Sequence, residues 1–271
     1  MYTFNRISAY VVAHQDDWQL FMDPAISEDL LDPQCKTVII HTTAGDAGSS
    51  RKYWRAREKG AVNSLLFRLS NKPNPEISKQ FVSIRDKKVF LTTVDNCSFY
   101  FMRLPDGGME GNGFATYGYQ SLSKIRTGTT GRLTTVDNVT SYDSFTEISG
   151  VINDLVAGEM KRCGITSPGD VSMHFPEFDH TLNPRDHSDH FNTALLLQAT
   201  DLYRRATKYA YVHYEIQHAA GDLNGLNLFW KVGMFCVYHQ TVLNLYGHST
   251  LDESPEYNVW CTKKALRRQV A

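Results

Sequence analysis

Two short apolar runs that stop abruptly at polar residues constrain this chain more than any other feature. Ile7–Ala13 is β-branched and apolar and ends at His14. Thr37-Val-Ile-Ile-His-Thr-Thr43 does the same and runs into Ala44-Gly45-Asp46-Ala47-Gly48. Runs of this length, apolar on both alternating sets of positions, are strands covered on both faces. A strand that stops at a glycine-containing loop is what an open α/β sheet shows at its carboxyl edge, where ligands bind. Trp54, Ala61, Leu65 and Leu69 follow near helical spacing, which predicts a helix over 53–69.

The middle of the chain changes character. Gln80–Ile84 and Val89–Val94 flank Arg85-Asp-Lys-Lys, which predicts a hairpin, and Ser98–Leu104 adds a further strand. The expectation is a mostly parallel sheet with an inserted antiparallel hairpin region. Residues 105–143, rich in Gly, Thr, Asp and Asn, resist assignment. Leu-Thr-Thr-Val-Asp-Asn occurs at 91–96 and again at 133–138. Two copies without matching flanks read as reuse of strand-then-turn chemistry and not as a repeat. Ser144-Phe-Thr-Glu147 matches a capping box ahead of Ile148, Val151, Ile152, Leu155, Val156 and Met160, a helix. Val171–Phe175 reads as a strand, Ser188–Leu202 as a helix, and 226–246 as another. At 271 residues, 42% hydrophobic and without a visible linker, a single domain over 1–271 is expected.

Composition excludes several classes. A net charge of −1 gives no basic footprint for nucleic acid. No apolar run approaches the ~18 residues of a membrane span, and the first residues lack a secretory pattern. Five scattered cysteines have neither metal-clip nor redox-motif spacing. The expectation is a cytoplasmic protein acting on a small molecule, with homo-oligomerisation left open.

Two clusters carry chemistry. In His14-Gln-Asp-Asp17, His14 and Asp17 stand at i and i+3, where imidazole and carboxylate converge on one point at a strand end. Asp16, between them, faces the same site without ligating and is placed to take a proton from water. The competing reading is that Asp16 and Asp17 cap a helix. The second cluster, Asp186-His-Ser-Asp-His190, also offers an i, i+3 pair, with Asp186 or Asp189 available to hold an imidazole in one tautomer. Its competing reading is a polar helix start capped by Ser188. Together the clusters supply three protein ligands and leave a fourth position for water, the pattern of a catalytic metal site.

These residues resemble a known pattern. Ala13-His14-Gln15-Asp16-Asp17 is similar to the Ala-His-Pro-Asp-Asp signature of the PIG-L/LmbE-like deacetylases, and His187-Ser188-Asp189-His190 to that family's His-Pro-Asp-His. Thr43–Gly48, Arg57-Glu58 and Arg103–Gly108 fall between them in the family's order. The resemblance covers about residues 7–200. It implies a Rossmann-like (LmbE-like) three-layer α/β sandwich and a zinc-dependent hydrolase that removes an N-acyl group, acetyl above all, from an amino sugar or glycoconjugate. It further implies Zn2+ on His14, Asp17 and His190, Asp16 as general base, and His187 as the oxyanion or leaving-group partner oriented by Asp189. Arg57 and Asp106 are implied near the substrate. Departures are Gln15 and Ser188 in place of prolines, Arg185 where relatives carry a tyrosine that helps hold the oxyanion, and Trp18 where an acidic residue is common. Arg185 and Trp18 are therefore expected at the pocket mouth. Aromatics of the last third, among them Tyr203, Tyr209, Tyr211, Tyr214, Phe229, Trp230 and Tyr238, are candidates for stacking on a sugar or for core.

Three other readings stay open at this point: a carbohydrate-binding protein without catalysis, a phosphotransfer enzyme on a magnesium site, and a purely structural role for both clusters. A phosphotransfer site would need a phosphate-cradling glycine loop, which Gly45–Gly48 matches feebly.

Overall fold

The computed structural model describes residues 3–72, 74–248, 251 and 254–271. In chain order the strands and helices are β1 (Arg6–Val12), α1 (Asp17–Phe21), α2 (Ala25–Leu31), β2 (Cys35–Thr43), α3 (Arg51–Arg68), β3 (Ile77–Ile84), β4 (Lys87–Val94), β5 (Cys97–Leu104), α4 (Leu122–Arg126), β6 (Leu133–Thr134), β7 (Ser141–Tyr142), α5 (Phe145–Cys163), β8 (Val171–Pro176), α6 (Ser188–Gln198), β9 (Thr207–Tyr211), α7 (Gly225–Tyr246), α8 (Glu256–Trp260) and β10 (Arg267–Val270). Eight strands form one sheet in the order β10-β9-β8-β1-β2-β5-β4-β3. The inner five, β9 to β5, pair in parallel. The antiparallel strands lie at the edges, β4 and β3 on one side and β10 on the other.

The unbroken apolar runs of β1 and β2 are explained by the layers. Ile7, Ala9 and Val11 of β1 and Val38 and Ile40 of β2 join the core beneath α5 and α6. Tyr10, Val12 and Ile39 turn the other way, toward Ile26 and Leu30 of α2, Ala61 and Leu65 of α3, and Met234 of α7. Period-two alternation with both faces buried leaves no solvent-facing set of positions along such a strand. The result is the expected α/β three-layer sandwich with a Rossmann-like parallel centre and an added hairpin.

Local chemistry sets the boundaries. The β3–β4 hairpin turns on Arg85 and Asp86, both left-handed at φ 50° and 62°, the two-residue geometry that matches the twist of the flanking strands. Ser144 caps α5 by accepting the Glu147 amide at 3.0 Å, while the Glu147 carboxylate reaches the Asp143 amide at 2.7 Å, one residue before the cap. The Ser188 helix ends at Gln198, short of the predicted Leu202. Residues 105–143 hold α4 and the two-stranded β6–β7 pair. The two hexapeptide copies differ: Asn96 is buried and donates to three carbonyls, whereas Asn138 is a left-handed turn residue.

β1 is the switch point of this topology. From it the chain builds outward to β2 and β5 on one side, then returns to place β8 and β9 on the other. Connections leaving β1 and β8 therefore diverge to opposite faces and open a crevice at the strands' carboxyl ends. No helix among the described residues is long and apolar enough to cross a membrane.

Candidate metal centre

The crevice is where both histidine clusters meet. His14 follows β1, and the Asp186–His190 segment enters α6 after β8. His14 Nδ1 lies 3.2 Å from His190 Nε2, His190 Nε2 lies 3.1 Å from Asp17 Oδ1, and His14 Nδ1 lies 3.7 Å from that same oxygen. Residues 176 positions apart are thereby brought to one point. A tetrahedral zinc with bonds of about 2.0–2.2 Å holds its ligand atoms about 3.3–3.6 Å apart. The observed triangle brackets that spacing, so the donor set fits the ion.

Each donor is aimed by a neighbour. The His14 amide donates to Asp17 Oδ2 at 2.7 Å, which turns Oδ1 toward the two imidazoles. On the far side of His190, Nδ1 lies 2.7 Å from Asp186 Oδ1. That bond places a proton on Nδ1 and leaves the Nε2 lone pair toward the site, the usual support of a ligating histidine. Asp186, and not Asp189, has this role. His14, Asp17 and His190 are buried, His190 completely, and Asp186 is partly buried.

Charge follows from the packing. Burial opposes a proton on His190, but Asp17 and Asp186 on either side prevail and hold it at about 9. Burial likewise opposes charge on His14, yet Asp17, Asp189 and Asp106 raise it well above the ordinary histidine value. Asp17 is driven far down despite its burial, because both imidazoles face it. Such an arrangement is two imidazoles sharing a site with carboxylates, ready to exchange protons for a cation.

His187 behaves differently. It stands at the N-cap of α6, where its Nδ1 accepts the Asp189 amide at 3.1 Å. Ser188, the candidate cap, is inside the helix. With Nδ1 accepting, the neutral ring carries its proton on Nε2, which points toward Asp106 Oδ1 at 3.5 Å. Burial and the nearby His14 lower its pKa to about 4, so the ring is neutral at pH 7. The Asp189 backbone orients His187; the Asp189 carboxylate stands 3.9 Å from Nδ1 and instead accepts the Gly107 amide at 2.9 Å and faces His14 Nε2 at 3.5 Å.

Asp16 occupies the N-cap position of α1 but makes no capping bond through its side chain. Its Oδ1 receives Arg57 NH2 at 2.6 Å. Arg57 also donates from NH1 to the Gly45 carbonyl at 2.5 Å and from Nε to the Tyr238 hydroxyl at 2.6 Å. Gly45 has φ +53°, and a Cβ there would overlap the Arg57 guanidinium, so the loop after β2 requires glycine. Asp106 lines the cleft beside His14 and His187, held by the Gly108 and Ala47 amides at 2.8 and 3.3 Å. Beneath it, burial raises Asp46 to about 7 as it accepts the Asp106 and Gly48 amides.

The remaining expectations fall elsewhere. Trp18 is fully buried and packs 6.2 Å from the Phe99 ring, on the face of α1 turned into the core. Arg185 is on the surface, paired with Glu215 at 2.9 Å, and lines a separate depression with His180 and Arg126. Neither lines the cleft. Its opposite wall is aromatic and comes largely from segments without a visible motif: Tyr53, Phe21, Tyr214, Tyr257 and Trp260 enclose about 170 Å³ with His14, Asp16 and His187. Of the stacking candidates in the last third, Tyr214 lines this cleft, 4.6 Å from and stacked on Trp260, and Tyr238 meets Arg57 behind it. The others pack elsewhere; Phe229 and Trp230, for example, lie against Phe67.

No family model matches the chain, and no curated protein matches it in sequence. Among solved structures, the zinc inhibited form of teicoplanin deacetylase Orf2 is 11% identical, with a TM-score of 0.48 and 97% of each chain covered. A deacetylase–teicoplanin complex from the teicoplanin biosynthesis pathway is 13% identical, with a TM-score of 0.47, covering 91% of this chain and 90% of that one. GalB, the 4-carboxy-2-hydroxymuconate hydratase from Pseudomonas putida KT2440, is 11% identical with a TM-score of 0.41, covering 94% of this chain and 82% of that one. Likenesses of this size say nothing about what this chain does; its chemistry rests on its own atoms.

Proposed function

We propose that this chain is a zinc-dependent hydrolase that removes an N-acyl group, acetyl above all, from an amino sugar or a conjugate of one. The observation that carries the reading is the convergence of His14 Nδ1, Asp17 Oδ1 and His190 Nε2 within 3.1–3.7 Å at the carboxyl edge of the sheet. Three protein donors with cleft on the remaining side is the arrangement of a catalytic zinc site. Zinc held there supplies Lewis acidity to the attacking water and to the acyl carbonyl.

The chain's own groups account for the proton traffic. Asp16, anionic beside Arg57, takes a proton from the attacking water and returns it to the leaving amine. Neutral His187 donates from Nε2 to the oxyanion that develops on the acyl oxygen; preorganised donors of this kind contribute on the order of 10²–10³ in rate. Arg57 fixes the Asp16 carboxylate from behind. A cleft of about 170 Å³ has room for an acyl group and one ring. Any larger aglycone projects past Tyr214 and Trp260, which stack on one another in the cleft wall.

The test is acetate release from N-acetylglucosamine, its glycosides and its conjugates, by protein as purified, after chelation, and after zinc is restored. The expected result is zinc near one equivalent and activity that disappears and returns with the metal. Zinc-loaded protein that releases no acetate from any N-acetylated amino sugar overturns the substrate class, and protein that takes up no zinc overturns the whole reading.

A further inference from the structure

The sandwich thins at the β3 edge. On one face of the β3–β4 hairpin, Val82, Ile84, Val89 and Leu91 pack into the core beneath α5. The opposite face leaves Ile77 and Phe81, four residues apart on β3 and so on one side of the strand, each 48% exposed. Between that face and α3 is a cavity of about 260 Å³. Its floor is aromatic: Phe81 meets Phe90 edge to face at 5.2 Å, and Phe90 lies 6.4 Å from Phe101. Its rim is basic, with Arg55 and Lys59 from α3 and Lys79 from β3.

These three cations make no ion pair among the described residues. Glu58, the acid in the lining, is already engaged: its two oxygens accept Arg103 Nε and NH2 at 2.7 and 2.8 Å. Arg103 is itself pinned 4.4 Å from the Phe90 ring and 4.9 Å from Trp54. Burial, and then the charge of Lys79, lower Lys59 below the ordinary lysine value, so the two ammonium groups feel each other. The cavity is separate from the metal centre. Arg55, Glu58, Lys59 and Val62 line it at helical spacing, whereas Tyr53 and Arg57 of the same helix line the cleft. At 3.6 residues per turn the centres of these two stripes are about 170° apart around α3.

We propose that this cavity is a binding site for a small aromatic anion, its ring on Phe81 and Phe90 and its charge among Arg55, Lys59 and Lys79. A bare anion would leave the phenyl faces in water, and an uncharged ring would leave three like charges opposed. A ligand with both parts satisfies the floor through ring contacts and the rim through charge. A second copy of the chain is a poor occupant, because a two-fold interface sets the same patch against itself and would bring basic rim to basic rim. The site does not depend on the metal centre or on the reaction proposed for it.

The test is calorimetric titration of the full-length protein with 2-naphthoate, with its uncharged counterpart 2-naphthamide, and with inorganic phosphate. Wild type is expected to bind one equivalent of 2-naphthoate and to bind the amide and phosphate at least ten-fold more weakly. K59Q/K79Q, which removes the charge, and F81A, which removes the floor's exposed ring, are each expected to lose at least ten-fold in 2-naphthoate affinity, with circular dichroism unchanged. Equal affinity in wild type and K59Q/K79Q puts the ligand elsewhere, the cleft included, and overturns the site. An amide that binds as tightly as the acid overturns the role of the cations, and phosphate that binds as tightly overturns the role of the rings. Absence of 2-naphthoate binding, together with a wild-type dimer in light scattering that F81A dissociates, assigns the face to a second copy and overturns the proposal.

Discussion

The Nε–H of Arg57 meets the hydroxyl of Tyr238 at 2.6 Å, so a residue of α7 holds the guanidinium that holds Asp16. Three acceptors on three separate segments fix this arginine: Gly45 after β2, Asp16 after β1, and Tyr238 on α7. Tyr238→Phe is expected to keep the metal but lower turnover about ten-fold, because Asp16 loses its fixed angle. A hydrogen bond to a charged group contributes about 1.5–3 kcal/mol, so the midpoint of denaturant unfolding should drop as well. Unchanged kcat in a stably folded Y238F protein would separate Arg57 orientation from catalysis.

Asp16→Asn tests the base itself. The amide keeps a hydrogen bond to Arg57 but cannot take a proton from water. Loss of acid–base catalysis costs about 10²–10⁴ in rate, and zinc stoichiometry should remain that of wild type. A single-turnover measurement on D16N with near-normal acetate release would rule Asp16 out as base.

Asp186 aligns His190 from outside the donor triangle. Asp186→Asn retains a hydrogen-bonding group but removes the negative charge beside Nδ1. Removal of such a support typically costs 10–100-fold in metal affinity. Competition with a chromophoric chelator measures this, and an affinity equal to wild type would show that the imidazole is held by packing alone.

Acid should destabilise the fold through buried histidines outside the donor triangle. His174 is buried between the Tyr211 hydroxyl at 2.8 Å and Ser172 Oγ at 3.0 Å, and burial lowers it to about 3. His41, between β-strand aromatics, is likewise lowered to about 3 by burial. In the unfolded chain each binds a proton near pH 6.5, whereas the folded protein refuses it until about 3. Their contribution is therefore complete above pH 6.5 and is lost as the pH falls toward 3. Each histidine adds up to about 1.4 kcal/mol per pH unit to that slope. Urea unfolding of His174→Gln between pH 7 and 4 should show a shallower slope, and identical slopes would count against the assignment.

The sequence was most legible where pattern and chemistry coincide. β1, β2 and α5 follow from apolar runs and a capping box; ligand spacing marks His14 with Asp17 after β1 and His187 with His190 at the start of α6, and only the family resemblance singles out His190. β9 and β10 were invisible because an edge strand such as Arg267–Val270 is polar and short, and its pairing is decided by β9 and not by its own residues. The five-residue helices α1 and α8 are too brief to show periodicity. Trp18 was misplaced for a related reason: one position after Asp17 a helix turns through about 100°, which carries the indole from the cleft into the core. Asp189 drew attention by its neighbours, yet its backbone amide, which no sequence pattern displays, orients His187.

The cleft has two walls with separate origins. The reactive groups come from connections after β1, β2, β5 and β8, while Tyr214, Tyr257 and Trp260 come from chain that follows β9. The reactive groups and most of the aromatic wall are thus supplied by different stretches of polypeptide, Phe21 and Tyr53 being the exceptions. Exchange of residues 212–262 between chains of this architecture would move the aromatic wall together with Tyr238, the anchor of Arg57, so a change in what is bound would come with a change in how Asp16 is held.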